Sequence, residues 1–274
     1  MPRKIYYDVY PSIPSLGDEA IPKTKTIRKR IAKPKNEESE TKSDFGKQVA
    51  ANKITNFYDL LPKNFVKKYH NPAYKKHLIN IPFRMLIVGG SGAGKTSALM
   101  ELIHRMKGTF NHIAVCCKSK EEPLYQYLEQ KVGDAISFHE GIDNIPDLDS
   151  FADMGQVLIV FDDLVLEKDQ RKIEQYFIRA RKVGGGVSCC YLTQSYFRTP
   201  KMIRAQCNYI ILKKLGERRD LNLILSEFSL GIDKTKLGKM YKYAMSIPNS
   251  FLLIDVSPDI PDEKRFREGF LKFL

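Results

Sequence analysis

Residues 81–99 read IPFRMLIVGGSGAGKTSAL and contain the strongest structural signal in the chain. An apolar run at 85–88 leads into a glycine-rich turn, and apolar side chains then recur at helical spacing over 97–106. Residues 89–96 match the pattern G-x-x-x-x-G-K-[ST] of a nucleotide-binding P-loop. Because a predicted strand precedes the turn and a predicted helix follows it, a P-loop is favoured over a glycine-rich hairpin with a chance Lys-Thr pair.

Each part of this motif has a role in binding phosphates. Glycines let the backbone amides turn inward without an obstructing Cβ, and the following helix adds the positive end of its dipole. We expect Lys95 to reach the β- and γ-phosphates and the Thr96 hydroxyl to bind Mg²⁺. The predicted nucleotide-binding residues are Gly89, Gly90, Ser91, Gly92, Ala93, Gly94, Lys95, Thr96 and Ser97.

Composition indicates a basic globular protein. The chain has 274 residues, 43% of them hydrophobic, which suits one α/β domain with extensions. The formal charge of +13 favours a polyanionic partner over the alternative of a basic but merely soluble enzyme.

The five cysteines lack C-x-x-C spacing, so we expect reduced core residues in an intracellular protein. No apolar run approaches the roughly 18 residues of a membrane span.

Charge and hydropathy divide the chain into three parts. Residues 1–55 have few apolar side chains and predict a flexible basic tail. The basic run at 23–35 within it suggests nucleic-acid binding or a nuclear-localisation-like patch, with a solvated linker as the alternative. Residues 56–80 predict an amphipathic lead-in segment, interrupted by Pro62, and residues 81–274 predict the P-loop ATPase domain.

From Pro82 onward, predicted strands and helices alternate. Apolar runs predict strands at 85–88, 113–117, 136–138, 157–161, 187–192, 209–212 and 251–256. Helical spacing appears at about 95–107, 121–131, 168–182, 200–206, 218–228 and 233–244. This alternation predicts a doubly wound α/β fold, with a mainly parallel central sheet flanked by helices.

Paired carboxylates follow the continuously apolar strand VLIVF at 157–161. A buried strand that ends in two acids is the Walker B arrangement of nucleotide hydrolases. We expect Asp162 to hold Mg²⁺ and Asp163 to polarise the water that attacks the γ-phosphate. The two negative charges are tolerable because a dication lies beside them. An exposed Asp-Asp turn after a core strand is the alternative.

One complete predicted strand, HIAVCC at 112–117, lies along the chain between the P-loop helix and the Walker B strand. An inserted strand together with a second acid is the plan of the additional-strand, RecA/FtsK-like branch of P-loop ATPases. The guanine-specificity pattern Asn-Lys-x-Asp does not occur after the P-loop, which argues against a GTPase.

Two further polar residues complete the predicted catalytic set. Gln194 follows the strand at 187–192, where it would contact the γ-phosphate or the attacking water; a plain strand-end glutamine is the alternative. Arg181 lies in the basic segment 170–182, just before a run of glycines. We expect Arg181 to act in trans on a neighbouring subunit's nucleotide, with a solvent-facing or DNA-facing basic surface as the alternative.

These motifs together resemble the DNA-packaging ATPases of poxviruses, other large DNA viruses and virophages, which belong to the FtsK/HerA superfamily. The resemblance covers about residues 80–256 and rests on VGGSGAGKT at 88–96, Asp162-Asp163, RARK at 179–182 and YLTQ at 191–194. It implies a homo-oligomeric ring that binds ATP and Mg²⁺ and drives double-stranded DNA, without sequence preference, into a preformed capsid. Cellular members usually carry Glu where this chain has Asp163.

Three functional hypotheses follow. The leading one is a viral genome-packaging ATPase with capsid or vertex proteins as partners, located in the host cytoplasm or virus factory or associated with the virion. The first alternative is a DNA translocase of the same superfamily that serves replication or repair. The second is a nucleotide-dependent, non-hydrolysing DNA-binding adaptor, which would not need a second carboxylate such as Asp163.

Overall fold

The computed structural model describes residues 56–63, 65–165, 167, 169–229 and 231–274. The chain divides into two compact units, Met1–Leu61 and Pro62–Leu274. The predicted basic tail, 1–55, lies outside the described residues. In the lead-in segment, short 3₁₀ helices span Phe57–Leu60 and Tyr74–Lys76. The predicted domain boundaries remain predictions.

The unit that begins at Pro62 alternates strands and helices. Its strands are β1 Arg84–Val88, β2 His112–Cys117, β3 Ile136–Glu140, β4 Val157–Asp162, β5 Val187–Thr193, β6 Tyr209–Leu212, β7 Leu252–Asp255, β8 Phe266–Glu268 and β9 Lys272–Phe273. Its α-helices are α1 Lys95–Arg105, α2 Pro123–Val132, α3 Arg171–Arg179, α4 Lys201–Gln206, α5 Arg218–Glu227 and α6 Lys234–Ser246. Further 3₁₀ helices span Gly133–Ala135, Leu148–Phe151, Ala180–Lys182 and Asp262–Lys264.

All nine described strands form one sheet in the order β3-β2-β4-β5-β1-β6-β7-β8-β9. The six strands from β3 to β6 are parallel, and β7, β8 and β9 are antiparallel additions at one side. In the ladder, Val88 lies opposite Thr193, and Asp162 lies opposite Leu192. The carboxyl ends of β1, β4 and β5 therefore meet at one edge, and the predicted α/β fold is confirmed.

Helices cover both faces of the sheet, which explains why its central strands are apolar throughout. Neighbouring residues of β1 point to opposite faces. Ile87 shares a core with Leu99 of α1, whereas Val88 shares a core with Phe177 of α3. Side chains of α2 join the first core, and side chains of α4, α5 and α6 join the second.

The order of the strands in the sheet differs from their order along the chain. The strand inserted along the chain between the P-loop and the Walker B strand is β2, but in the sheet β2 lies on the far side of β4. The strand that separates β1 from β4 is β5. Chain order does not specify sheet order, because a helical crossover can carry the chain past a neighbouring position.

Two smaller differences concern the ends of elements. The helix predicted to continue to residue 182 ends at Arg179, and a 3₁₀ turn follows it. Strands β8 and β9 were not predicted, because two or three residues are too few to show the alternation of apolar and polar residues that marks a strand.

All five cysteines are buried and unpaired, as predicted. Among the described residues, no helix combines the length and apolar character required to span a bilayer.

Candidate active site

The predicted P-loop forms the turn between β1 and α1. Gly92 and Gly94 have φ of +69° and +83°, a left-handed conformation that favours glycine. Gly94 is the residue that caps α1. A Cβ on Gly89 would approach Cβ of Lys213 to 2.7 Å, so close packing also requires glycine there. The turn therefore has the backbone that a phosphate-binding nest needs.

Lys95 is the first residue of α1, and its side chain extends back over this turn. Its Nζ donates hydrogen bonds to the carbonyl oxygens of Gly89 and Gly90, at 3.1 and 3.2 Å. Burial lowers the pKa of Lys95, and the nearby charges of Asp162 and Asp163 raise it in partial compensation. The lysine and both carboxylates therefore lie within electrostatic reach of one another.

Asp162 ends β4, and a residue of α2 holds its carboxylate. Tyr125 donates a hydrogen bond from its hydroxyl to Oδ2 of Asp162, at 2.6 Å. Burial raises the pKa of Asp162, whereas the hydrogen bond from Tyr125 lowers it. The tyrosine thus orients the carboxylate and supports its ionised form. Sequence reasoning missed Tyr125, since a tyrosine in an amphipathic helix looks like a core residue.

Asp163 and Gln194 are in direct contact. The side-chain amide of Gln194 donates to Oδ2 of Asp163 at 2.9 Å, which joins the residues that follow β4 and β5. Asp163 has φ of +55°, unusual for a residue other than glycine. Its backbone NH donates to the carbonyl of Leu192 at 3.2 Å. The Asp-Asp turn is therefore held in a defined conformation, with the second carboxylate aimed at the end of β5.

The donor set at this edge fits Mg²⁺. Thr96 lies in the first turn of α1, which the P-loop places at the carboxyl end of β1. Asp162 lies at the carboxyl end of β4, two strands away. Hydroxyl and carboxylate oxygens are the hard donors that Mg²⁺ prefers, and Mg²⁺ in nucleotide sites takes only a few protein ligands. Thr96 and Asp162 remain the predicted metal ligands.

A family model confirms the resemblance. It describes the Poxvirus A32 protein and matches residues 71–251, well over half of the chain. The chain belongs to the Poxvirus A32 protein family. The match spans the P-loop, the Asp162-Asp163 pair and Gln194. Comparison with curated proteins found no match to this A32-family chain.

Several solved structures are similar to this chain. The genome packaging NTPase B204 from Sulfolobus turreted icosahedral virus 2, in complex with ATP-gammaS, is 16% identical with a TM-score of 0.50, over 72% of this chain and 100% of that protein. The same NTPase in complex with sulfate is 15% identical with a TM-score of 0.50, over 70% and 97% of the two chains. EssC from Geobacillus thermodenitrificans has a TM-score of 0.48 at 12% identity, over 70% and 40%. The B204 similarity shows a shared fold.

A buried carboxylate anchors the loop that carries Gln194 in this A32-family chain. Asp220 of α5 is only 1% exposed. It accepts hydrogen bonds from the backbone NH groups of Tyr196 and Phe197, each at 2.8 Å, and from the Ser195 hydroxyl at 3.2 Å. The segment after β5 is thereby tied to α5. No local pattern marks Asp220, because its partners lie more than 20 residues earlier in the chain.

Lys213 is a second lysine beside the P-loop that sequence reasoning missed. It follows β6 and is 5% exposed, and its Nζ donates to the carbonyl oxygens of Asn249 and Ser250, both at 2.9 Å. A Cβ on Gly94 would lie 3.4 Å from its Cε. Burial lowers the pKa of Lys213. Its side chain therefore supports the glycine turn from behind.

Arg181 is the one predicted site residue that lies elsewhere. It belongs to the 3₁₀ turn before β5, at the amino end of that strand, near Tyr69 and Arg84. β5 separates it from Gln194 by about 20 Å, at some 3.3 Å per residue. Within one subunit the structure therefore does not bring Arg181 to the P-loop, which leaves the predicted trans role as a prediction.

Proposed function

We propose that this A32-family chain hydrolyses ATP with Mg²⁺ and couples that reaction to the movement of double-stranded DNA into a capsid. The observation that carries the proposal is the contact between Asp163 and Gln194 beside Asp162 and Lys95. A P-loop that only bound nucleotide would need neither a second carboxylate nor a glutamine held against it.

Each residue at this edge of the sheet has a separate role in the reaction. The amides of the glycine turn and Lys95 bind the β- and γ-phosphates. Mg²⁺, held by Thr96 and Asp162, would neutralise developing charge on the phosphate oxygens. Asp163 accepts a proton from a water molecule as the water oxygen bonds to the γ-phosphorus and the bond to the β–γ bridging oxygen breaks. The products are ADP and inorganic phosphate.

Gln194 holds Asp163 in position before the reaction. Its amide donates to one carboxylate oxygen, which leaves the other oxygen able to accept the proton from water. Asp220 of α5 holds the loop that follows Gln194, so hydrogen bonds connect this loop to α5. This chain of contacts is a route by which nucleotide state reaches the surface of the subunit.

DNA is the polyanion that we propose as the partner. A formal charge of +13 suits contact with phosphates, which provides affinity without reading sequence. The shared fold with B204, a genome packaging NTPase, supports the choice of packaging over other work on DNA. We also propose a homo-oligomeric ring, capsid or vertex proteins as partners, and a location in the host cytoplasm or virus factory.

The test is the Asp163→Asn variant of the full chain. We expect ATP binding to stay within about twofold, because asparagine keeps the size of the side chain, and turnover to fall by about 10²–10⁴-fold, because the proton acceptor is lost. The matched control is Asp153→Asn, an exposed aspartate in a loop, which should change neither quantity. Unchanged turnover in Asp163→Asn would contradict its role as the base.

Stimulation by DNA tests the second half of the proposal. We expect double-stranded DNA of unrelated sequences to raise the ATPase rate equally, and we expect the stimulation to fall steeply between about 50 and 200 mM salt. ATPase activity without any DNA stimulation at low salt would contradict DNA translocation. ATP binding with DNA binding but no turnover would instead identify a nucleotide-dependent adaptor.

A further inference from the structure

A cavity of about 400 Å³ lies beside the P-loop, between the loop that follows β6 and the last turns of α6. We call it the side pocket. Its apolar wall is formed by Leu215, Leu221, Tyr241 and Met245, and its polar rim includes Glu217 and Lys242. The cavity has the size of a small-molecule site, and it combines this apolar wall with charged and polar residues, which are Lys214, Glu217, Arg218, Lys242 and Ser246.

The side pocket is in contact with the phosphate-binding turn. The backbone NH of Gly90 donates to the carbonyl of Lys214 at 2.9 Å. A Cβ on Gly90 would lie 3.4 Å from the backbone nitrogen of Gly216. The P-loop therefore lies directly against the loop that lines the pocket.

The wall of the side pocket is held in place by hydrogen bonds. The backbone NH of Leu215 donates to the Tyr241 hydroxyl at 2.9 Å, and that hydroxyl donates to the carbonyl of Lys213 at 3.3 Å. Lys213 in turn supports the glycine turn. The phosphate-binding turn and the side pocket are thus connected by hydrogen bonds and packing.

The direction in which a nucleotide would lie across the P-loop indicates which part of it reaches this pocket. Asp163 and Gln194 follow β4 and β5, which lie on one side of β1, so the γ-phosphate end faces that side. The remainder of an extended nucleoside triphosphate must leave the P-loop on the other side. The strand there is β6, and the side pocket is lined by the residues that follow it.

We propose that the side pocket binds the purine base and ribose of the nucleotide whose phosphates the P-loop holds. A thioether, a leucine pair and a tyrosine ring suit the flat face of a purine. Glu217 and Lys242 at the rim offer an acceptor and a donor to ribose hydroxyls or to exocyclic groups. This inference rests on the proposed function, since it assigns the second half of the same nucleotide site.

The test separates the base from the phosphates. Met245→Trp in the full chain fills the pocket, and its binding of ATP and of inorganic tripolyphosphate is compared with the wild type. We expect ATP affinity to fall at least tenfold and tripolyphosphate affinity to stay within twofold. The matched control is Leu225→Trp, another partly buried residue packed on the same core but outside the pocket, which should change neither affinity.

If the Met245→Trp substitution disturbs folding, an NMR measurement on the wild-type protein still tests the proposal. With ¹³C-methyl-labelled methionine, the Met245 resonance is assigned by its loss in Met245→Leu. We expect ATP to shift this resonance by the ring current of the base, and tripolyphosphate to leave it in place. Equal loss of both affinities in Met245→Trp, normal binding of both, or an unshifted Met245 methyl would overturn the assignment. A wild-type chain that binds neither ligand would contradict the proposed function itself.

Discussion

The two ends of the parallel strands are built differently. At the carboxyl end, charged and polar side chains hold one another, as Tyr125 holds Asp162 and Gln194 holds Asp163. At the amino end, the turn before β5 is packed backbone against backbone. A Cβ on Gly184 would lie 2.3 Å from the carbonyl oxygen of Ala152, and one on Gly185 would lie 2.4 Å from the backbone of Gly155.

This difference indicates what each end is suited to do. Hydrogen-bonded side chains at the carboxyl end can exchange partners when a nucleotide binds and reacts. The packed glycine turn at the amino end has no such freedom, so it presents Arg181 from a rigid position. A guanidinium carried on a tightly packed turn, far from its own P-loop, suits a residue that acts on a neighbouring subunit's nucleotide. We therefore expect substitutions of side chains at the carboxyl end to affect ATP hydrolysis, and substitutions of the glycines at the amino end to affect the stability of the fold.

Of the four changes that test this comparison, Arg181→Ala is expected to have the largest effect. If Arg181 completes the neighbouring site, turnover falls by about 10³-fold, because a guanidinium no longer stabilises the transferring phosphoryl group. ATPase assays of mixed rings give the sharper result. Arg181→Ala subunits supply an intact Asp163, and Asp163→Asn subunits supply an intact Arg181, so the mixture should recover activity that neither variant has alone.

Lys182→Ala is the control for Arg181→Ala, since it removes a neighbouring exposed charge from the same turn. Its turnover should stay near that of the wild type. Equal losses in the two variants, or no recovery on mixing, would indicate that the basic turn contributes only general charge.

Gly184→Ala should test the rigidity of the amino end. The new methyl group meets backbone atoms at a φ of +49°, so we expect a loss of about 2–4 kcal/mol in the free energy of unfolding, measured by urea denaturation. Gly141→Ala is the matched control. Its φ is +81° but no atom lies within 4 Å of the added Cβ, so only the backbone strain of about 1 kcal/mol remains.

Gln194→Ala should test the carboxyl end. Loss of the amide frees the Asp163 carboxylate, so we expect kcat to fall by about 10- to 100-fold, less than for loss of the base, with KM for ATP unchanged. Gln175→Ala, an exposed glutamine of α3, serves as the control. A rise in KM without a change in kcat would show that Gln194 contributes to binding rather than to positioning the base.

The smallest effect is expected from Tyr125→Phe. The hydrogen bond from Tyr125 lowers the pKa of Asp162, so its removal raises that pKa further. Asp162 must be ionised to hold Mg²⁺, and activity is therefore lost as pH falls through its pKa. The acidic limb of the pH profile of kcat/KM should move to higher pH, while Tyr127→Phe, an exposed residue of the same helix, should leave it unchanged. A shift to lower pH would contradict this account.

Much of the site follows from the sequence because its parts are local. The G-x-x-x-x-G-K-[ST] spacing specifies a turn and the helix after it within eight residues, and the left-handed Gly92 and Gly94 agree with it. The Asp162-Asp163 pair and Gln194 were predicted because each directly follows an apolar strand. Parallel strands place all such ends at one edge, so the prediction of a common site required only the fold class.

What the sequence determined by itself is this set of strand-end residues and the α/β fold that gathers them. Only the tertiary structure placed β5 rather than β2 between β1 and β4, since chain order does not set sheet order. It also supplied Tyr125 and Asp220, which reach their partners across 37 and more than 20 residues of chain. Such contacts have no sequence signature, because packing, and not local spacing, brings them together.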